Sequence, residues 1–332
     1  MRITDMIPRH DRLPLPRAVL GGLVASCAEH VGDVRRVAEV FGGSVSHVYR
    51  VFGERGSAIL KVRGRSFSRI PGITTDPSLI RYERKALRIF RSAAPHVFPD
   101  VLAFHREHHA LVLEDVFPGG RTFEDALRTA PATRADAALL GATIGLVHRE
   151  TAHVDEAIRE DDDLAFRDQT LWFCLESSGH PALARTAAQY RARSRRTLVL
   201  GDAAPKNTSL AAGRITLCDL DNAHLGSHHY DVGYVAAHLV LHHLPDPDLA
   251  EGLVRAFRDG YARSHPAVDP DDPIVLRTLL GVCLYRLVND TVPYRLALSP
   301  ERRREVYAVV YRLLDDPGPT LSKVTAALKE VR

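Results

Sequence analysis

In the stretch LVLGDAAPKNTSL, Leu198 to Leu210, an apolar run ends on Gly201-Asp202, and Asn207 follows with four residues between. On a tight loop that interval turns both side chains toward one point. The carboxylate can accept the proton of an attacking hydroxyl, and the amide oxygen can hold a metal ion beside a phosphate. That chemistry is phosphoryl transfer. An Asp-x₄-Asn pair also arises by chance, with the aspartate doing no more than capping a turn. Other parts of the chain must therefore agree.

Two of them do. In RITLCDLDNAHLG, Arg214 to Gly226, alternation puts Ile215, Leu217 and Asp219 on one face of a strand. A carboxylate ending such a strand is costly unless a cation meets it. Asp221 lies two residues on, the same face in extended chain. With the Asn207 carbonyl, Asp219 and Asp221 make a hard oxygen set suited to Mg²⁺; a solvated acidic turn is the plain alternative. The second agreement is between Lys61, ending the run SAILK on the face of Ile59, and Glu83, which interrupts the stripe Leu79–Glu83–Leu87–Phe90. A lone charge on each inward face is expensive, and the cheapest resolution is that they meet. In kinases such a lysine grips nucleotide phosphates and a helix glutamate steadies it. Otherwise Lys61 snorkels to water. The glycine segment FGGSVSHVYRV offers Gly42, Gly43 and Ser44, whose amides suit phosphates, yet it is neither G-x-G-x-x-G nor a Walker A loop. A plain hairpin turn explains it equally well.

Positioning these residues requires two kinds of structure. From Val34 to Val62 short β-rich runs separated by Gly42-Gly43 and by Gly53-Glu54-Arg55-Gly56 predict three strands. A helix over PSLIRYERKALRIFRSA and two strands, around VLAFHREH and ALVLEDV, follow. After Phe117-Pro118-Gly119-Gly120 the pattern turns helical: TFEDALRTA, ADAALLGATIGLVHRETAHV, and most of Pro245 to Arg332. The expected class is α+β: a β-rich N-terminal part with one key helix, joined to a larger, mostly helical C-terminal part.

The 332 residues suit two such lobes. Lys+Arg 44 against Asp+Glu 41 is too balanced to indicate a nucleic-acid partner. Cys27, Cys174, Cys218 and Cys283 are far apart, so neither a disulfide framework nor a zinc ribbon is indicated. The start MRITDMIPRHDRLPLP has no apolar signal core, and no apolar run spans a bilayer. A reduced cytoplasmic setting, with no membrane partner, is the expectation.

Taken together, the chain resembles the aminoglycoside phosphotransferase and choline kinase-like family of small-molecule kinases. The resemblance is carried by LVLGDAAPKNTSL, ITLCDLDNAHLGSHHYDVGYVAAHL and LGATIGLVHRE, with GGSVSHVYRV and LEDV earlier, in the family's order. KVRGRSFSRIPGITTDPSLIRYERKAL is similar to the methylthioribose kinase-like branch. The resemblance implies a bilobal protein kinase-like fold: a nucleotide-binding lobe over 1–113, a hinge over 114–120 and a catalytic, acceptor-binding lobe over 121–332. ATP and Mg²⁺ are the implied cofactors and a small hydroxylated molecule the acceptor. Asp202 would be the catalytic base, Asn207 and Asp219 metal ligands with Asp221 auxiliary, Lys61 the phosphate grip and Glu83 its partner. The main chain of Glu114, Asp115 and Val116 would read adenine. Asp231, opening an apolar helix, suits an N-cap, and in the family the matching residue buttresses the catalytic loop. One departure stands out: Leu200 occupies the place of the family's usual loop histidine.

Two other readings compete. A pseudokinase would keep the fold and bind without transfer, as Leu200 and the poor glycine loop would allow. A zinc hydrolase would use His238 and His242, spaced i, i+4 with His243, His228 and His229 nearby, but Leu239 stands where the zincin pattern needs a glutamate. Acceptor signals conflict. The acidic run from Asp155 to Asp163 suits a cationic aminoglycoside or is a solvated loop. Arg286 and Arg295, near Asn289 and Asp290, suit a polar or anionic sugar or form a surface helix end.

Overall fold

The computed structural model describes residues 3–331 except 9–12, 41–44, 71, 118–121, 155, 160–162, 193–196, 212, 267, 270, 289–295 and 297. The chain divides into two compact units, Met1–Gly120 and Arg121–Arg332.

Three helices not anticipated from sequence open the first unit: α1 (Ile3–Met6), α2 (Arg17–Ser26) and α3 (Ala28–Val31). Strands β1 (Val34–Glu39), β2 (His47–Gly53) and β3 (Gly56–Val62) follow, then α4 (Ile80–Ala93), β4 (Val101–His105) and β5 (Ala110–Glu114). The strands pair antiparallel in the order β1-β2-β3-β5-β4, which makes β3 the central strand. Side chains alternate across it. Leu60 and Val62 join Tyr49, Val51, Ala110 and Val112 in a core capped by Leu20, Leu23, Val24 and Val31 from α2 and α3. Lys61 therefore faces the other way.

The second unit starts with α5 (Phe123–Leu127) and α6 (Arg134–Thr151), each opened by a threonine capping box, at Thr122 and Thr133. Next come α7 (Asp163–Cys174), α8 (Pro181–Ala192), β6 (Thr197–Val199), β7 (Thr208–Ala211), β8 (Arg214–Leu217) and β9 (His224–Gly226). The rest is α9 (His228–His242), α10 (Pro247–Ser264), α11 (Pro273–Val288), α12 (Pro300–Leu313) and α13 (Leu321–Glu330). Helices α6 and α10 touch backbone to backbone. A Cβ on Gly141 would lie 2.0 Å from the Phe257 carbonyl oxygen, and one on Gly260 2.0 Å from that of Ala138, so only glycine permits the crossing. Among the described residues no helix is long and apolar enough to cross a membrane.

Several expectations need correction. Strand β8 ends at Leu217, and Asp219 lies beyond it in the left-handed region, φ 62°. Asp221 sits in a 3₁₀ turn, Leu220–Asn222, rather than in extended chain. The turn tightens because it buries Leu220, leaving Asp219 and Asp221 half-buried on either side. Asp231 is not an N-cap: α9 starts at His228 with Ser227 as its cap residue, and Asp231 is a turn inside. Arg286 is not at a surface helix end but 5% exposed. From Asp163 onward the acidic run is helix α7, while Asp155 and 160–162 lie outside the described residues.

Candidate active site

In the first unit, Lys61 reaches Glu83 of α4, Nζ to Oε2 2.7 Å. Both are buried: Lys61 because its strand is central, Glu83 because it shares a face with Leu87 and Phe90. The pair fixes an ammonium group on the α4 face of the sheet. At the end of β5, the Asp115 carboxylate is tied to Arg50 Nε (2.7 Å), Ser57 Oγ (2.6 Å) and the Phe117 amide (3.2 Å). The exposed Glu114 side chain accepts from the Asp100 amide at 3.1 Å. Val116 follows, half-buried. With the Glu114 and Asp115 side chains so engaged, main chain is what this segment has to offer a ligand. Gly42, Gly43 and Ser44 lie outside the described residues.

In the second unit, strand β6 delivers the chain to Leu200-Gly201-Asp202, and a clamp holds it there. Asp231, fully buried, accepts the Leu200 amide on Oδ2 (2.7 Å) and the Gly201 amide on Oδ1 (2.9 Å). Burial pushes its pKa up, and the two loop amides pull it back. His148 of α6 places Nε2 3.1 Å from Asp231 Oδ2, and its Nδ1 lies 2.9 Å from the Tyr261 hydroxyl of α10. A carboxylate only accepts, so Nε2 carries the proton and Nδ1 accepts from Tyr261. Burial holds His148 neutral, its pKa pushed far down. His228 stacks on it at 3.9 Å and donates from Nε2 to the Leu198 carbonyl, 3.0 Å away. Three helices thus grip the main chain from Leu198 to Gly201.

Gly201 has φ +77°, and a Cβ there would stand 2.2 Å from the Asn222 carbonyl oxygen. The loop and the 3₁₀ turn consequently meet back to back. Beyond it, Asp202 is 8% exposed and surrounded. Its Oδ1 accepts from the Tyr234 hydroxyl and meets Arg286 Nη2 at 3.3 Å; its Oδ2 meets Lys206 Nζ and Asn207 Nδ2, each at 3.1 Å. Asn207 Nδ2 also donates to the Asp202 carbonyl at 2.9 Å. The Asn207 carbonyl oxygen accepts the Cys218 amide at 3.0 Å, which brings Asn207 and the Asp219 turn to the same end of the β7–β8 hairpin. Burial alone would lower the Lys206 ammonium, but Asp202 and Asp219 outweigh it and hold its pKa above the ordinary lysine value.

Sequence reasoning placed Asp202, Asn207 and Asp219 in one region and missed Tyr234, the His148–Tyr261 support and the inward course of Arg286. A signal for Arg286 existed. It lies in LLGVCLYRLV, apolar on every side, and such a helix is buried. The histidine pair considered for zinc gains no support. The His243 ring is taken up by the Leu239 carbonyl and the Ala132 amide, and among the described residues no third ligand joins His238 and His242. Their rings lie 6.5 Å apart, and burial lowers both pKa values, that of His242 to about 4.

The sequence profile of the phosphotransferase enzyme family matches residues 37–267. Among solved structures, a microcompartment-associated aminopropanol kinase is 17% identical, covers 90% of this chain and 99% of its own, and superposes with a TM-score of 0.62. An amicoumacin kinase in complex with AMP-PNP, Ca²⁺ and Ami is 14% identical over 92% of this chain and 97% of its own, TM-score 0.54. A choline/ethanolamine kinase family protein from Mesorhizobium loti is 16% identical over 94% and 99%, TM-score 0.53. The five-stranded sheet followed by a helical part is the fold these structures share, as the sequence led us to expect. No curated protein matches the chain.

Proposed function

Because the chain belongs to the phosphotransferase enzyme family, we propose that it transfers the γ-phosphate of ATP to a hydroxyl group of a small molecule, with Asp202 as the base. The observation that carries this reading is the Asp202–Asn207 pair, held by hydrogen bonds on a loop whose main chain is clamped by Asp231. A site that must align a hydroxyl with a phosphorus atom needs such fixity.

The residues fit Mg²⁺. Asn207 commits its Nδ2 to Asp202, so Oδ1 is the atom it offers a cation, and Asp219 and Asp221 add carboxylate oxygens. Lys61, steadied by Glu83, suits the α/β-phosphates. Bound Mg²⁺-ATP supplies the transferable phosphoryl group and screens its charge. The chain's own residues do the rest. Asp202 Oδ1 is anchored by Tyr234 and Arg286; Oδ2, which Lys206 and Asn207 meet, is the oxygen assigned to orient the acceptor hydroxyl. The acceptor oxygen forms its bond to phosphorus as the bond to the ADP oxygen breaks, and its proton passes to Asp202.

The amicoumacin kinase of the same fold, seen with AMP-PNP and Ca²⁺, supports a nucleotide and a divalent cation. Aminoglycosides, sugars such as methylthioribose, and nucleosides are the acceptor classes that go with the family. A cytoplasmic location, where ATP is abundant, goes with it too. The pseudokinase reading rested on Leu200 and on the poor glycine loop; the first ground weakens because Asp231 holds the catalytic loop by its amides rather than by a side chain, while Gly42, Gly43 and Ser44 lie outside the described residues.

The test is acceptor-dependent ADP release across such a panel, with Asp202→Asn as control. The variant is expected to lose most turnover while binding ATP nearly as before. An Asp202→Asn protein with full turnover would sink the assignment.

A further inference from the structure

The large hydrophobic side chains left exposed among the described residues are Trp172, Phe173 and Val288, at 52%, 40% and 56%. Single exposed apolar residues are ordinary, whereas contiguous ones beside a reactive group mark a binding surface. Two of these are contiguous. Trp172 and Phe173, near the end of α7, meet edge to face at 5.2 Å, and Phe173 lies 6.3 Å from the Tyr285 ring. Tyr285 and Val288 belong to the last turn of α11, as does Arg286. Arg286 carries the chain of contacts inward: its Cζ is 5.1 Å from the Tyr285 ring centre and its Nη2 3.3 Å from Asp202 Oδ1. An aromatic shelf therefore runs from solvent to Tyr285, and the buried Arg286 stands between it and the Asp202 carboxylate.

Charge adds an independent constraint. Two cations, Arg286 at 3.3 Å and Lys206 at 3.1 Å, already face the Asp202 carboxylate, and the other acids of the site, Asp219 and Asp221, are those assigned to Mg²⁺. An acceptor bearing several ammonium groups would bring like charge against the two cations, which disfavours binding. A neutral flat ring meets no such penalty, and it gains from burial and edge or offset stacking on the shelf.

Resting on the kinase reading above, we propose that the acceptor is a hydroxylated molecule with a flat apolar ring and no cationic amine. Its ring sits on Trp172, Phe173, Tyr285 and Val288, and its hydroxyl is presented to Asp202. Nucleoside-like and aryl glycoside acceptors belong to this class; aminoglycosides do not.

Trp172 is the only tryptophan in the chain, so its emission reports on the shelf alone. The full-length protein, with AMP-PNP and Mg²⁺, is titrated by calorimetry and by fluorescence with phenyl β-D-ribofuranoside, methyl β-D-ribofuranoside and kanamycin. The phenyl compound is expected to bind at least tenfold more tightly than the methyl compound, to shift Trp172 emission, and to outbind kanamycin. Phe173→Ala should cut the phenyl preference below threefold. Equal affinities, no ring-dependent emission change, or kanamycin as the tightest ligand overturns the proposal. Slow ATP hydrolysis with water as acceptor separates the two levels. If Asp202→Asn leaves it unchanged, the kinase reading falls; if Asp202→Asn abolishes it but ring preference is absent, only the shelf proposal falls.

Discussion

Replacing Asp231 by asparagine tests the clamp with a change of one atom and one charge. Three donors converge on this carboxylate: the Leu200 and Gly201 amides and His148 Nε2. Asparagine keeps a single accepting oxygen. If that oxygen takes the place of Oδ2, the Gly201 amide faces an NH₂ group; if it takes the place of Oδ1, Leu200 and His148 do. A hydrogen bond to a charged group contributes about 1.5–3 kcal/mol, and a buried donor left unpaired costs about 1–3 kcal/mol. Part of this is recovered, since one or two bonds survive as neutral ones. A net loss of about 3 kcal/mol follows, roughly 6–12 °C in melting temperature for a domain of this size. Urea unfolding and thermal melts of parent and variant read it directly. ADP release should fall as well, because Asp202 follows the clamped residues. A variant within about 1 kcal/mol of the parent would refute the reasoning, since the carboxylate charge would then not be what holds the loop.

Other outcomes follow from the same geometry. Glu83→Gln neutralises the carboxylate that Lys61 meets at 2.7 Å in a buried pair and should destabilise by about 3 kcal/mol, while Lys61→Met/Glu83→Leu should recover most of that in urea unfolding and still bind ATP poorly. Gly201→Ala sets a Cβ against the Asn222 carbonyl in a left-handed conformation; it should cost more than about 2 kcal/mol and abolish turnover, and a normal melt would contradict the close approach. Stability should also fall with acid. Burial lowers His224 and His242 to about 4, so between about pH 6.5 and pH 4 the unfolded chain takes protons that the folded chain refuses. Their contribution is full above about pH 6.5 and drains at up to about 1.4 kcal/mol per pH unit for each. Melts at pH 7 and pH 5 should differ accordingly, and His224→Gln should flatten the slope.

What was legible in the sequence was local or energetic. Lys61 and Glu83 could be matched because each breaks an apolar face, and burial leaves such charges few solutions. Asp202 and Asn207 could be matched because five positions of chain set their separation. The strands of the first unit were legible from their glycine turns. The support beneath the loop was not, because His148, Asp231 and Tyr261 come from three helices spread over more than a hundred positions, and no local pattern links them. The shared face assumed for Asp219 and Asp221 failed for a different reason. Strand alternation does not continue through a turn that must bury Leu220.

Position 200 is where the clamp leaves the chain most freedom. Asp231 takes hold through two peptide N–H groups, which every residue except proline carries. Identity at 200 is therefore filtered only by the apolar surroundings of a side chain 2% exposed. Identity at 231 is filtered by charge, length and shape at once. The clamp itself is therefore indifferent to whether histidine or leucine stands at position 200. The residue the clamp cannot exchange lies not in the loop motif but on a helix 31 positions further along the chain.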